Sequence, residues 1–261
     1  HCLSSAASDV YKRQLHGKGG EDGVAQSYFE YLGIPYTHSG VVSSFNSMNK
    51  LISKQIFLKK KILTPKHFSI NGHEYKISTL REIIKKKNIK FPIVVKPVNE
   101  GSSLGVKICK NFKSLISSSK KLFKKYDKII FEKYIPGQEV QVAIINNKAL
   151  GAIELIPKRA FYDYKAKYTK GAKTKHVMPA RLTKKNYNEV LRISKLAHNA
   201  LGCRGVTRSD FKFYNNKFYL LELNTQPGMT NLSLVPEIAN YCGINFSNLV
   251  EQILLDASIN R

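Results

Sequence analysis

The chain has 261 residues, 43% of them hydrophobic, and a formal net charge of +25. That length supports one large core or two to three smaller ones, and the lack of any apolar run of about 18 residues excludes a transmembrane helix. A basic balance of this size is also the footprint of a nucleic-acid binder. Here the lysines fall on the polar faces of helices predicted within 80–90 and 113–125, and no aromatic-basic module or zinc knuckle accompanies them. No nucleic-acid and no membrane partner is therefore expected, and a solvated basic face favourable to anionic substrates is the reading. Cys2, Cys109, Cys203 and Cys242 are scattered without a CxxC or Cys/His cluster, which argues against zinc and against a disulfide framework. With no signal-peptide layout at the N-terminus, the expected compartment is the cytoplasm.

Residues 1–14 are unlike the rest, and Asp9-Val10-Tyr11-Lys12-Arg13-Gln14 resembles a translated sequencing adaptor, so this segment is read as a non-native scar or a flexible tail. From Leu15 helices and strands alternate, which indicates an α/β or α+β protein. Asp22 is placed to cap a helix carrying Ala25, Tyr28, Phe29 and Leu32, with Gly33 ending it. Ile34-Pro35-Tyr36 starts an extended segment, and a lysine-rich helix follows at about 47–61 until Thr64-Pro65.

Residues 66–133 read as strand, helix 78–88, strand 92–96, a Gly-rich turn, strand 105–109, helix 111–125 and strand 128–132. Strands 138–146 and 148–156 meet at Asn146-Asn147, a composition suited to a tight hairpin. A polar, aromatic loop occupies 158–173. Helix 184–201 stops at Gly202, strands 204–214 and 217–224 flank Asn215-Asn216, and helices at about 233–242 and 246–257 finish the chain.

Three clusters carry chemistry. Between two strands lies Lys96-Pro97-Val98-Asn99-Glu100-Gly101-Ser102-Ser103-Leu104-Gly105, a turn whose backbone N–H groups can approach phosphate oxygens beside a lysine charge. It lacks P-loop spacing and also reads as a plain strand-turn-strand. Arg208-Ser209-Asp210 and Glu222-Leu223-Asn224 sit on hairpin partners, and alternation gathers three oxygen ligands beside a cation. Two carboxylates and an amide oxygen suit Mg²⁺, while a salt-bridge ladder is the bland alternative. With Leu220, Leu221 and Leu223 interleaved, these polar groups are expected to point inward against the core. Finally, Gln226-Pro227-Gly228-Met229 and Ser233 offer a turn N–H and a helix start that can hold an oxyanion or a carboxylate.

A wider set of blocks resembles D-alanine:D-alanine ligases of the ATP-grasp superfamily. The blocks are His16-Gly-Lys-Gly-Gly-Glu21, Met48-Asn-Lys50, Val95-Lys96-Pro, Glu100-Gly-Ser-Ser-Leu-Gly105, Phe161-Tyr-Asp-Tyr-Lys-Ala-Lys-Tyr168, Arg208-Ser-Asp210 and Glu222-Leu-Asn-Thr-Gln-Pro-Gly-Met229. They occur in the family's order across about residues 15–257. The resemblance implies an α+β ATP-grasp fold, two α+β subdomains sandwiching ATP at 41–133 and 134–261, with 15–40 as the remnant of an α/β N-terminal domain.

It also implies roles. Lys50 and Lys96 would hold the ATP phosphates, with Ser102 and Ser103 in the loop that closes over them. Glu132, Lys133 and Ile135 would form the hinge beside adenine, and Glu139 would accept from the ribose hydroxyls. Asp210, Glu222 and Asn224 would bind two Mg²⁺ ions, or Mn²⁺ in their place. Lys167 would meet the γ-phosphate and, with Tyr168, belong to the lid at 158–173, whose pattern favours the dipeptide product. Arg208 and the N–H of Gly228 would stabilise the tetrahedral intermediate, Ser233 would hold the second D-alanine and His16 would lie near the first.

Departures accompany the match. The family's opening strand, with its Gly-rich turn and glutamate, does not precede Leu15, Gln226 stands where serine is common, and Asn231-Leu232 replaces Ser-His. The resemblance therefore implies nucleotide binding with impaired ligation by this chain, and a homodimer for the intact family member. The competing expectations are another ATP-grasp carboxylate-amine or depsipeptide ligase, and a non-catalytic nucleotide-binding module.

Overall fold

The computed structural model describes residues 17–101, 103–157, 174–230 and 233–260. Among them, no helix is long and apolar enough to cross a membrane. The first helix among the described residues is α1 (Val24–Tyr31), which Asp22 caps from outside by accepting from Val24 N at 3.2 Å. Gly33 ends it at φ +64°.

The lysine-rich helix expected at 47–61 is instead two helices. α2 (Val41–Met48) and α3 (Lys50–Lys59) break at Asn49, whose extended backbone lets its Oδ1 accept from Leu51 N and Ile52 N. An asparagine that can satisfy two orphan N–H groups favours a cap over helix continuation. The buried side of α2 is a serine stripe: Ser43 donates to the Gly202 carbonyl at 2.7 Å and Ser47 to that of Leu223.

Strands β1 (His67–Asn71), β2 (Ile93–Pro97), β3 (Lys107–Cys109) and β4 (Lys128–Lys133) form an antiparallel sheet in the order β1-β4-β2-β3. Alternation divides each strand between two faces. Phe68, Ile70, Ile93, Val95, Ile129 and Phe131 pack under α4 (Ile77–Lys87) and α5 (Phe112–Phe123), which contribute Leu80, Leu115 and Leu122. The opposite face carries Val94, Lys96, Ile130 and Glu132, with Val94 registered against Glu132 and Lys96 against Ile130.

The turn from β2 to β3 closes on Gly105, at φ +72°. A Cβ there would stand 2.9 Å from the Pro97 ring and 3.1 Å from Leu122 Cδ2. Gly105→Ala is expected to cost about 1–3 kcal/mol through backbone strain and overpacking. The thermal midpoint should fall by several degrees, and an unchanged midpoint would contradict this.

The second sheet takes β5 (Gln138–Ile145), β6 (Lys148–Ile156), β7 (Lys175–Val177), β8 (Val206–Tyr214) and β9 (Lys217–Asn224) in the order β7-β6-β5-β8-β9. Both Asn-Asn turns adopt positive φ at each central residue, as a two-residue hairpin of the primed type requires. Strand β7 was not anticipated.

One face of this sheet, with Val140, Val142, Phe211, Phe218, Leu220 and Leu223, buries against α6 (Lys184–Ala200) and the end of α3. The other face is split. Ala143, Ile145, Leu155 and Val206 lie under α7 (Leu234–Tyr241) and α8 (Phe246–Leu255), whereas further along β5 and β8 the same face turns polar at Glu139, Gln141, Arg208, Asp210 and Lys212. That uncovered half faces the first sheet. Cys109, Cys203 and Cys242 are free thiols.

Candidate active site

The two polar sheet faces line an open cleft. One part is apolar, with Pro65, Val94, Val106, Ile135 and Leu221. Another is charged, with Lys50, Lys96, Glu100, Asp210 and Glu222. Apolar walls beside a set of cationic and carboxylate side chains are the chemistry that a nucleotide site needs.

Strand β9 delivers its carboxylate through a bulge. Asp210 registers with Glu222 and Arg208 with Asn224, but Phe211 already pairs with Leu220, so Leu221 is an extra residue. Without it, strict alternation would send Glu222 to the face of Phe218 and Leu220. The bulge puts Leu221 and Glu222 into the cleft and returns Leu223 to the core. Asp210, Glu222 and Asn224 therefore share one face, and the expectation that they point inward against the core is corrected: they face the cleft, and Leu220 and Leu223 face the core.

No group of three His, Cys, Asp or Glu side chains gathers as a metal site among the described residues. The set here is two carboxylates and an amide, hard oxygen donors that suit Mg²⁺ when phosphate oxygens and water supply the rest. The surroundings fit. Gln141 Oε1, on the residue registered against Asp210, is a buried acceptor without a hydrogen-bond partner among the described residues. Meanwhile protein cations answer the carboxylates: Arg208 grips Asp210 through two bonds of 2.8 and 3.0 Å, and Lys50 Nζ lies 3.9 Å from Glu222. Lys50 also donates to the Glu100 carbonyl, and burial pushes its ammonium below the usual lysine range.

A buried triad sits in the cleft wall. Glu132 is ion-paired with Lys54 at 3.1 Å through one oxygen and with Lys96 at 2.9 Å through the other, and Lys54 is fully buried. Burial opposes ionisation of Glu132, but two ammonium groups outweigh it and hold the carboxyl at about 2. Lys54 has one attraction against burial and the repulsion of Lys96, so burial wins and lowers it to about 8.

For Glu132 the sign is clear. Its folded pKa lies below the unfolded value of 4.5, so its contribution is present above pH 4.5 and is lost as pH falls towards 2. The loss amounts to roughly 3 kcal/mol. Urea unfolding across that window should show the stability falling, and Glu132→Gln should flatten the slope; equal slopes would contradict this.

Lys50, Lys96, Ser103, Glu132, Lys133, Ile135, Glu139, Asp210 and Glu222 all line the cleft, and Asn224 lines the adjoining cavity with Lys50 and Glu222. Gly228 and Ser233 follow β9 outside both linings, and Ser233 Oγ accepts from Thr230 N at 3.0 Å. His16, Ser102, Lys167 and Tyr168 lie outside the described residues. Lys54, Lys212 and Glu21 were missed. Lys54 is four residues from Lys50 on one helix face and Lys212 two from Asp210 on one strand face, spacings that could have found both. Glu21 accepts from Gly17 N and lines the adjoining cavity.

Comparison with known proteins agrees with this geometry. A family model described as D-ala D-ala ligase C-terminus matches residues 58–255. The D-alanine–D-alanine ligase of Pelagibacter ubique (strain HTCC1062) is 56% identical over 259 residues, covering 99% of this chain and 84% of that protein. The ligase of Geotalea uraniireducens (strain Rf4) is 45% identical over 253 residues, covering 96% and 79%. Two crystal structures of the Bacillus anthracis D-alanine–D-alanine ligase superpose, one at TM-score 0.82 and 37% identity over 93% of this chain and 77% of that one. The other, complexed with ATP, gives 0.79 and 31% over 96% and 82%. Two antiparallel sheets closing on a cationic cleft, with these neighbours, define an ATP-grasp protein. The chain belongs to the D-alanine–D-alanine ligase family.

Proposed function

We propose that this chain joins two D-alanine molecules into D-alanyl-D-alanine at the expense of ATP, for peptidoglycan precursor synthesis. The observation that carries this reading is the shared face of Asp210, Glu222 and Asn224 across the cleft from Lys50 and Lys96. ATP as co-substrate is supported by the ATP-complexed neighbour and by the apolar-to-charged gradient of the cleft. The relatives' names weigh against a depsipeptide product or a non-catalytic module.

In this reading the base lies in the apolar slot beside Lys133 and Ile135, Glu139 accepts from the ribose, and Lys50 and Lys96 hold the phosphates with Ser102 and Ser103 above them. Asp210, Glu222 and Asn224 would hold Mg²⁺, which would supply charge neutralisation to the phosphates. A carboxylate oxygen of the first D-alanine attacks the γ-phosphorus and ADP leaves, giving an acyl phosphate. The neutral amine of the second attacks its carbonyl carbon and gives up a proton to solvent as the C–N bond forms, and the acyl C–O bond breaks so that phosphate departs with its electron pair.

Arg208 and the N–H of Gly228 stabilise the tetrahedral oxyanion, Ser233 binds the second carboxylate, and His16 lies by the first substrate. Lys167 and Tyr168 belong to the lid that excludes water. We assign 41–133 and 134–261 to the two ATP-grasp subdomains. Handling of ATP supports a cytoplasmic site of action, and exposed Tyr28, Tyr31, Val42 and Phe45 on α1 and α2 support a homodimer.

The test is phosphate release with ATP and Mg²⁺ in the presence and absence of D-alanine, with the product resolved by chromatography. D-alanine-dependent release with one dipeptide per phosphate is expected. Release indifferent to D-alanine, or a product formed only with a hydroxy acid, would overturn the reading.

A further inference from the structure

Strand β8 presents Arg208, Asp210 and Lys212 on one face, and the last of these has no part in the roles above. Lys212 stands directly opposite Glu139 in the β5–β8 register, and its Nζ lies 3.0 Å from Glu139 Oε2. Both side chains are largely sheltered, at 14% and 11% exposure, and both line the cleft. The pair stands one alternate position along β8 from Asp210, so it falls between the metal-ligand end and the apolar slot near Ile135.

A strand position facing an apolar nucleotide slot would ordinarily take an aliphatic side chain; a lysine there has to be matched by charge. Glu139 supplies it. A long flexible carboxylate alone would sample several rotamers, whereas the cross-strand ammonium fixes one and leaves a sugar hydroxyl a directed acceptor. A charged acceptor held in one place discriminates against a ligand that lacks the hydroxyl, because its partner is then missing in a sheltered site.

We propose that Lys212 is a positioning residue that aims the Glu139 carboxylate at the nucleotide ribose and so makes the cleft selective for ribonucleotides over 2′-deoxyribonucleotides. This rests on the reading of Glu139 as the ribose acceptor. Lys212 acts through Glu139 and does not itself touch the reacting atoms.

The experiment is calorimetric titration of the whole chain, with Mg²⁺, by ATP and by 2′-deoxy-ATP, for the parent and for Lys212→Met, Lys212→Arg and Glu139→Ala. The readout is the ratio of the two dissociation constants, which a loss of folded fraction does not move. The parent should prefer ATP on the order of tenfold or more, as for a hydrogen bond to a charged group. Glu139→Ala and Lys212→Met should each bring the ratio close to one, and Lys212→Arg should restore most of it. If Glu139→Ala abolishes selectivity while Lys212→Met keeps it, the positioning role is overturned and the ribose reading stands. If Glu139→Ala leaves the ratio unchanged, both fail together.

Discussion

Asp210→Asn and Glu222→Gln are each expected to lower D-alanine-dependent phosphate release by roughly 10³-fold, the loss of several kcal/mol of charge stabilisation. Each replacement keeps the side-chain volume and removes a formal charge from the cleft-facing set. The two should differ in a second respect. Asp210 also accepts two bonds from Arg208, so Asp210→Asn leaves a sheltered guanidinium with weakened neutralisation. The pair that Glu222 makes with Lys50 is longer, at 3.9 Å. The thermal midpoint should therefore fall more for Asp210→Asn than for Glu222→Gln. Wild-type phosphate release in either variant would remove the metal assignment.

Glu132→Ala is expected to cost about 3–5 kcal/mol of folding stability, because removing one member of a buried ion pair strands the other. Here two ammonium groups are stranded, one of them, Lys54, fully buried on α3. Lys54 is already pulled down to about 8 by burial, so it can shed its proton, which holds the cost near the lower end. Adding Lys54→Met to Glu132→Ala should recover part of the loss, a non-additivity that contacting residues show and distant ones do not. Chemical denaturation of the three variants measures this. A Glu132→Ala cost below 1 kcal/mol, or strictly additive effects, would contradict the triad's role.

Much of this architecture was legible from short-range pattern. Alternation located β5, β6, β8 and β9, and each Asn-Asn pair marked a turn whose left-handed φ asparagine tolerates. What escaped depends on partners distant in sequence. The break at Asn49 is invisible to periodicity because a single polar residue between two amphipathic stretches also fits one continuous helix. The bulge at Leu221 exists only relative to β8, and counting by twos along β9 alone cannot find it. It explains why Glu222 and Asn224 were expected against the core.

Lys54 was hidden by its company. In a helix with Lys50 and Lys59 it reads as another solvated lysine, and only the approach of Glu132 from β4 makes it a buried counter-ion. Around Lys212 the sequence shows only a lysine two residues after a carboxylate. Its meaning comes from the cross-strand position of Glu139, some seventy residues away in the chain.

The most direct measurement is Mn²⁺ titration followed by electron paramagnetic resonance, with and without a non-hydrolysable ATP analogue, on the parent and on Glu222→Gln. If the facing strands hold a metal-nucleotide, the analogue should sharply tighten Mn²⁺ binding in the parent, and Glu222→Gln should lose most of that gain. Equal Mn²⁺ uptake in the two proteins, unaffected by the analogue, would show that these side chains do not present a metal to the nucleotide.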